Sequence, residues 1–123
     1  MIDHVKLLVA DLEASRAFYE RALAPLGWSV RMAVPELGVA FGRERPELWI
    51  AHRPELGASV THVALRVDDP GAVDAFHRAA LAAGGTDNGA PGLRPQYHPG
   101  YYGAFALDPD GNNVEAVCHV PQG

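Results

Sequence analysis

Two histidines and one acid stand out in this chain because each meets an otherwise apolar strand pattern. His4 opens Val5-Lys6-Leu7-Leu8-Val9, His62 opens Val63-Ala64-Leu65-Arg66-Val67, and Glu115 lies within Val114-Glu115-Ala116-Val117-Cys118. Side chains alternate across a strand. His4, Lys6 and Leu8 therefore share a face, as do His62, Ala64 and Arg66, and likewise Glu115, Val117 and His119. The opposite faces are uniformly apolar and suit packing on helices. A lone carboxylate in such a strand costs free energy unless a cation or a hydrogen-bond donor meets it. Two neutral imidazoles and an ionised acid bind Fe(II), Mn(II), Ni(II) or Zn(II), and three protein ligands leave positions open for substrate or water. The plainer alternative bonds both histidines to backbone and pairs Glu115 with Lys6 or Arg66. The three residues taken together favour the metal.

The elements that must position these residues occur twice. Ile2 to Val9 reads as a strand; Asp11 caps a helix with Leu12, Phe18, Ala22 and Leu26 near helical spacing, and Pro25 and Gly27 end it. Trp28–Val34, Gly38–Gly42 and Glu47–His52 follow as short strands. The pattern then restarts with a strand over Val60–Val67 and a helix opened by Asp69-Pro70 and closed by Gly84-Gly85. A glycine-proline loop is expected from Asn88 to Pro95, then an aromatic segment, and finally a hairpin whose turn is Asp108-Pro109-Asp110-Gly111-Asn112. His4 and His62 are 62 − 4 = 58 residues apart, and the same offset sets Asp11 on Asp69, Phe18 on Phe76, Leu23 on Leu81 and Gly27 on Gly85. The expectation is an α+β fold of two tandem βαβββ modules in one domain, residues about 1–56 and 59–120, making a curled, barrel-like mixed sheet with helices outside. Neither half is long enough to bury a core alone, so the halves should pair with each other or with another chain.

Bulk properties remove whole classes of function. A net charge of −5 with no basic cluster argues against nucleic acid, and no apolar run reaches membrane-spanning length. The N-terminus shows no signal-peptide layout, and the single cysteine, Cys118, allows no internal disulfide. A cytoplasmic protein without membrane or nucleic-acid partners is expected.

The chain resembles the vicinal oxygen chelate superfamily, which includes glyoxalase I, extradiol dioxygenases, fosfomycin-resistance enzymes and bleomycin-binding proteins. Asp3-His4-Val5, Val9-Ala10-Asp11-Leu12 with Phe18-Tyr19, Thr61-His62-Val63-Ala64 and the run from Asp108 to Glu115 carry the resemblance. It implies a pair of βαβββ modules curled round a metal, with ligands at His4, His62 and Glu115. It also implies a homodimer, since in many members of the superfamily a site draws its two modules from different subunits. Glyoxalase I has a fourth ligand, an acid in the fourth strand of the first module. Matching His52-Arg53-Pro54 to His119-Val120-Pro121 puts Leu48 at that place and Glu47 on the other face, a placement that a one-residue slip would reverse. No Arg or Lys follows Glu115, which disfavours the fosfomycin-resistance subtype.

Other polar and aromatic residues complete the expected site. Tyr97, His98, Tyr101 and Tyr102 cluster in and after a loop that could lie over the open metal position. His98 and Tyr102 are assigned, with Glu115, to acid–base work, the alternative being an ordinary aromatic loop whose rings cover the sheet edge or a dimer contact. Lys6, Arg66, Trp49 and Tyr97 are assigned to substrate binding. Cys118 reads as a small buried hydrophobe. The functional expectation is a metal-dependent lyase, isomerase or dioxygenase acting on a small vicinally oxygenated substrate. The alternative is a metal-independent protein that binds an antibiotic or another small molecule.

Overall fold

The computed structural model describes residues 1–121, and its elements follow the doubled pattern. The first module runs β1 (Val5–Leu8), α1 (Leu12–Leu23), a 3-10 turn over Ala24–Leu26, β2 (Ser29–Val34), β3 (Gly38–Gly42) and β4 (Leu48–Ala51). The second runs β5 (His62–Arg66), α2 (Pro70–Ala82), β6 (Thr86–Leu93), β7 (Tyr101–Leu107) and β8 (Asn113–His119). Each module makes its own four-stranded mixed sheet, in the orders β1-β4-β3-β2 and β5-β8-β7-β6. The first strand of each module pairs in parallel with the last, β1 on β4 and β5 on β8, and the other pairs are antiparallel.

The helices start where the sequence places their caps. Asp11 and Asp69 hold extended backbones, and their carboxylates accept from Ala14 N at 3.1 Å and Ala72 N at 2.9 Å. Phe18 and Phe76, related by the repeat, are both buried. Leu23 is buried but its counterpart Leu81 is 37% exposed, so the repeat weakens at the helix ends. The two glycines of the repeat do different work. Gly27 takes φ +77 to end the 3-10 turn, whereas at Gly85 an added Cβ would stand 2.7 Å from the Phe18 ring. That approach brings α1 against the second module. One core, from Leu7, Phe18 and Ile50 to Val73, Val114 and Cys118, runs through both halves.

Residues 88–95 depart from the sequence expectation. Most of that glycine-proline stretch is β6, paired with β7 through register shifts between Asp87 and Gly89 and between Gly89 and Gly92. β6 is an edge strand, and Pro91 falls between the two paired glycines, where no ladder donor is demanded.

The β7–β8 turn is tied to the rest of the molecule by side-chain bonds. Asp108 Oδ1 accepts from the amides of Asp110 and Asn112, while Oδ2 accepts from Tyr19 OH at 2.6 Å and Asn112 Nδ2 at 2.8 Å. Asn112 Oδ1 in turn accepts from Thr61 N at 2.9 Å and Ser59 Oγ at 3.0 Å. The turn is thus held to α1 and to the residue before His62. That arrangement fixes β8 beside β5.

Candidate functional site

Glu115 is the deepest acid in the protein. Its cross-strand partners are Ala64 on β5 and Phe105 on β7, and the residue is 1% exposed. A carboxylate only accepts, so His62 Nε2–H donates to Glu115 Oε1, at 2.8 Å, and Tyr101 OH donates to Oε2. Gly103 keeps the space open, because a Cβ there would lie 3.2 Å from Oε2 and 3.2 Å from Tyr101 Cε1. Burial and the adjacent carboxylate raise the Tyr101 hydroxyl well above the ordinary phenol range. The free-energy cost of the buried acid is met by two donors from neighbouring strands.

Alternation in β7 decides which aromatic residues reach this face. Tyr101, Gly103 and Phe105 point towards Glu115. Tyr102 points the other way, packs against the core and donates to Asp74 Oδ1 on α2 at 2.7 Å. Tyr102, expected to do acid–base work, is thus turned away from Glu115, and the phenol at Glu115 is Tyr101. Residue types in β7 alone do not tell the two phenols apart; the pairing of Phe105 with Glu115 does.

Beyond Tyr101 the aromatic segment folds into a stack. His98 and His119 rings lie 4.8 Å apart and nearly parallel, and both meet Tyr101, at 5.2 Å and 5.7 Å. Tyr97 meets Tyr101 edge-on at 4.9 Å. His98 and Tyr97 thus stand next to the Glu115 site.

His4 does not join the Glu115 contacts. It is exposed on the first sheet, its Nδ1 2.8 Å from Asp3 Oδ1, and Arg45 also flanks Asp3. His4 and His62 both line a wide cleft of about 650 Å³ between the edge strands β1 and β5, together with Arg66 and Glu47. Among the described residues no three His, Cys, Asp or Glu side chains are grouped to hold a metal ion. Two of the three expected ligand atoms, His62 Nε2 and Glu115 Oε1, stand 2.8 Å apart, joined by the hydrogen bond.

The fourth-ligand position also becomes definite. Lys6 pairs with Trp49 as Ala64 pairs with Glu115. The residue matching Glu115 is therefore Trp49, and Leu48 faces the core opposite Val5. The sequence match through His52-Arg53-Pro54 is one residue out. In the structure Glu47 shares the parity of Trp49 and lines the cleft with His4, with Arg45 Nη2 3.7 Å from its Oε1. Lys6 sits 5.6 Å from the Trp49 ring centroid.

Comparison with known proteins agrees with this architecture. The family model of the Glyoxalase/Bleomycin resistance protein/Dioxygenase superfamily matches residues 1–116. A glyoxalase/bleomycin resistance protein from Albidiferax ferrireducens superposes with a TM-score of 0.82 at 29% identity, covering 96% of this chain and 98% of that one. A lactoylglutathione lyase from Agrobacterium tumefaciens superposes with a TM-score of 0.66 at 25% identity, over 96% and 92% of the two chains. A glyoxalase I mutant from Zea mays gives 0.69 at 26% identity, with 94% of this chain covering 46% of that one. No curated protein sequence matches the chain.

Proposed function

The chain belongs to the Glyoxalase/Bleomycin resistance protein/Dioxygenase superfamily, and from that membership we propose a divalent-metal-dependent enzyme acting on a small substrate with two vicinal oxygens. The supporting observation is Glu115, a buried carboxylate whose Oε1 stands beside His62 Nε2 at 2.8 Å. His62 and Glu115 would hold the ion, with His4 as third ligand. His4 lies on the first sheet, so we assign it to a second copy of the chain whose first sheet covers the second sheet of this one. The ion, when bound, supplies Lewis-acid stabilisation of negative charge on the two substrate oxygens.

The remaining work falls to the protein. Tyr101 occupies Oε2 and so leaves Oε1 as the ligating atom. For His62 to ligate, its ring proton must sit on Nδ1 rather than Nε2, a change of tautomer that uptake of the ion would fix. Lys6 and Arg66 offer positive charge to an anionic substrate, Trp49 and Tyr97 offer aromatic faces, and His98 beside Tyr101 is placed to move a proton. Lyase, isomerase and dioxygenase chemistry share this frame, and the choice among them rests on which metal is taken.

The test is metal analysis of anaerobically purified protein, with calorimetry of metal uptake. Stoichiometric metal and loss of uptake in His62→Ala are expected. Uptake unchanged by that substitution would sink the reading. A second reading, a metal-independent small-molecule binder, draws on the fact that both Glu115 oxygens already have protein donors. It requires ligand binding that survives a chelator.

A further inference from the structure

We propose that the cavity on the far side of His62 is an anion subsite, built on Arg94 and Asn113, for the carboxylate or phosphate of a small hydroxylated ligand. The cavity measures about 390 Å³ and is lined by His62, Asn88, Gly89, Arg94, Tyr97, Phe105 and Asn113. None of these is acidic, although the chain carries a net charge of −5. A cationic cavity in an acidic protein favours an anion electrostatically.

Arg94 is held but not neutralised. Its Nη2 donates to Ala90 O at 2.6 Å, and its guanidinium lies 5.4 Å from the Phe105 ring centroid. No carboxylate among the described residues lies within ion-pair distance of it. β6 is shaped around this side chain. A Cβ at Gly89 would stand 3.4 Å from Arg94 Nη2 and 2.8 Å from the Phe105 ring, and one at Gly92 would stand 3.1 Å from Arg94 Nη1. A half-buried guanidinium, oriented by one carbonyl and one ring, keeps further donors in the fork that matches a carboxylate or phosphate.

Asn113 supplies the second, independent observation. It lies directly across from His62 in the β5–β8 ladder. Its Oδ1 is the side-chain polar atom among the described residues that is buried with no hydrogen-bond partner. Such an acceptor costs free energy until a donor arrives. Asn113 lines the cavity while its Oδ1 is buried, so a turn of the amide would bring that acceptor to a ligand hydroxyl next to the anionic group. The class is thus a hydroxy acid or a hydroxylated phosphate compound.

This proposal deepens the proposed function by naming the substrate class, and it depends on that reading only for what happens at the neighbouring His62–Glu115 pair. The test is therefore made on chelator-treated, metal-free protein. Inorganic phosphate and glycolate are titrated separately while the Arg94 Nε–H and Asn113 side-chain amide NMR signals are followed. Saturable shifts at both groups are expected, with affinity falling about tenfold or more in Arg94→Gln. Arg94→Lys should keep part of the affinity, which separates charge from loss of fold, and thermal melts check folding of both variants. Stronger binding of one probe assigns the subsite to phosphate or to carboxylate. Absence of saturable shifts with both probes, or equal affinity in Arg94→Gln, overturns the proposal. If the shifts are found but no metal is taken up, the subsite stands and the metal reading falls.

Discussion

Trp49 holds in the first sheet the place that Glu115 holds in the second. Lys6 lies across from Trp49, and Ala64 lies across from Glu115. Lys6 and Ala64 are 64 − 6 = 58 residues apart, the period of the repeat. One face of the doubled fold thus presents an ammonium over an indole, and the other a buried carboxylate between an imidazole and a phenol. The repeat kept the strand positions and changed their chemistry.

Glu115→Gln should separate charge from packing. The amide preserves size and can accept from Tyr101, so the thermal midpoint should move by only a few degrees. Metal affinity should fall by at least about tenfold, because a neutral amide is a poor ligand for a divalent ion. Calorimetric titration beside thermal melts checks both. Unchanged affinity would remove Glu115 from the ligand set.

Tyr101→Phe should destabilise the protein by about 1–3 kcal/mol, since Oε2 of a buried acid then loses its donor. Gly103→Ala should cost about as much by a different route, because its Cβ presses on both Oε2 and the Tyr101 ring at 3.2 Å. The two substitutions act on one contact, so the double variant should lose less than the two single losses combined. Urea unfolding of the three proteins measures this.

Stability should fall in alkali through Tyr19. This phenol is buried and bonded to Asp108, and burial first, then the Asp108 charge, raises its pKa well above the ordinary value. The folded protein therefore keeps a proton that the unfolded chain loses near pH 10. The contribution is complete below about pH 10 and is lost as pH rises towards the folded pKa. Tyr19→Phe should flatten the decline in urea midpoint above about pH 10. An equally steep decline in the variant would count against it.

Cys118 should resist thiol reagents in the native state. It is 2% exposed on the helix face of β8, and burial raises its thiol above the usual range. Modification should become rapid only in denaturant. Fast reaction of native protein would show that β8 opens.

Much of this was legible along the chain. Asp11 and Asp69 announce their helices because a cap acts on amides within three residues of itself. His4, His62 and Glu115 could be set on polar faces because alternation is a property of each strand alone. The 58-residue offset tied the two histidines to equivalent places before any pairing was known, and the family match over residues 1–116 agrees with the doubled fold.

Only the tertiary structure decided how the strands meet. A slip of one residue turns every side chain of a strand to its other face, and nothing local to β4 or β7 states the register. Hence Leu48 gave way to Trp49, Glu47 came onto the His4 side, and Tyr101 rather than Tyr102 met Glu115. The same holds for β6, where glycines and Pro91 signalled a loop and pairing with β7 imposed a bulged strand around Arg94. Caps and alternation are written in neighbouring residues, whereas register is settled by which side chains a distant strand can bury.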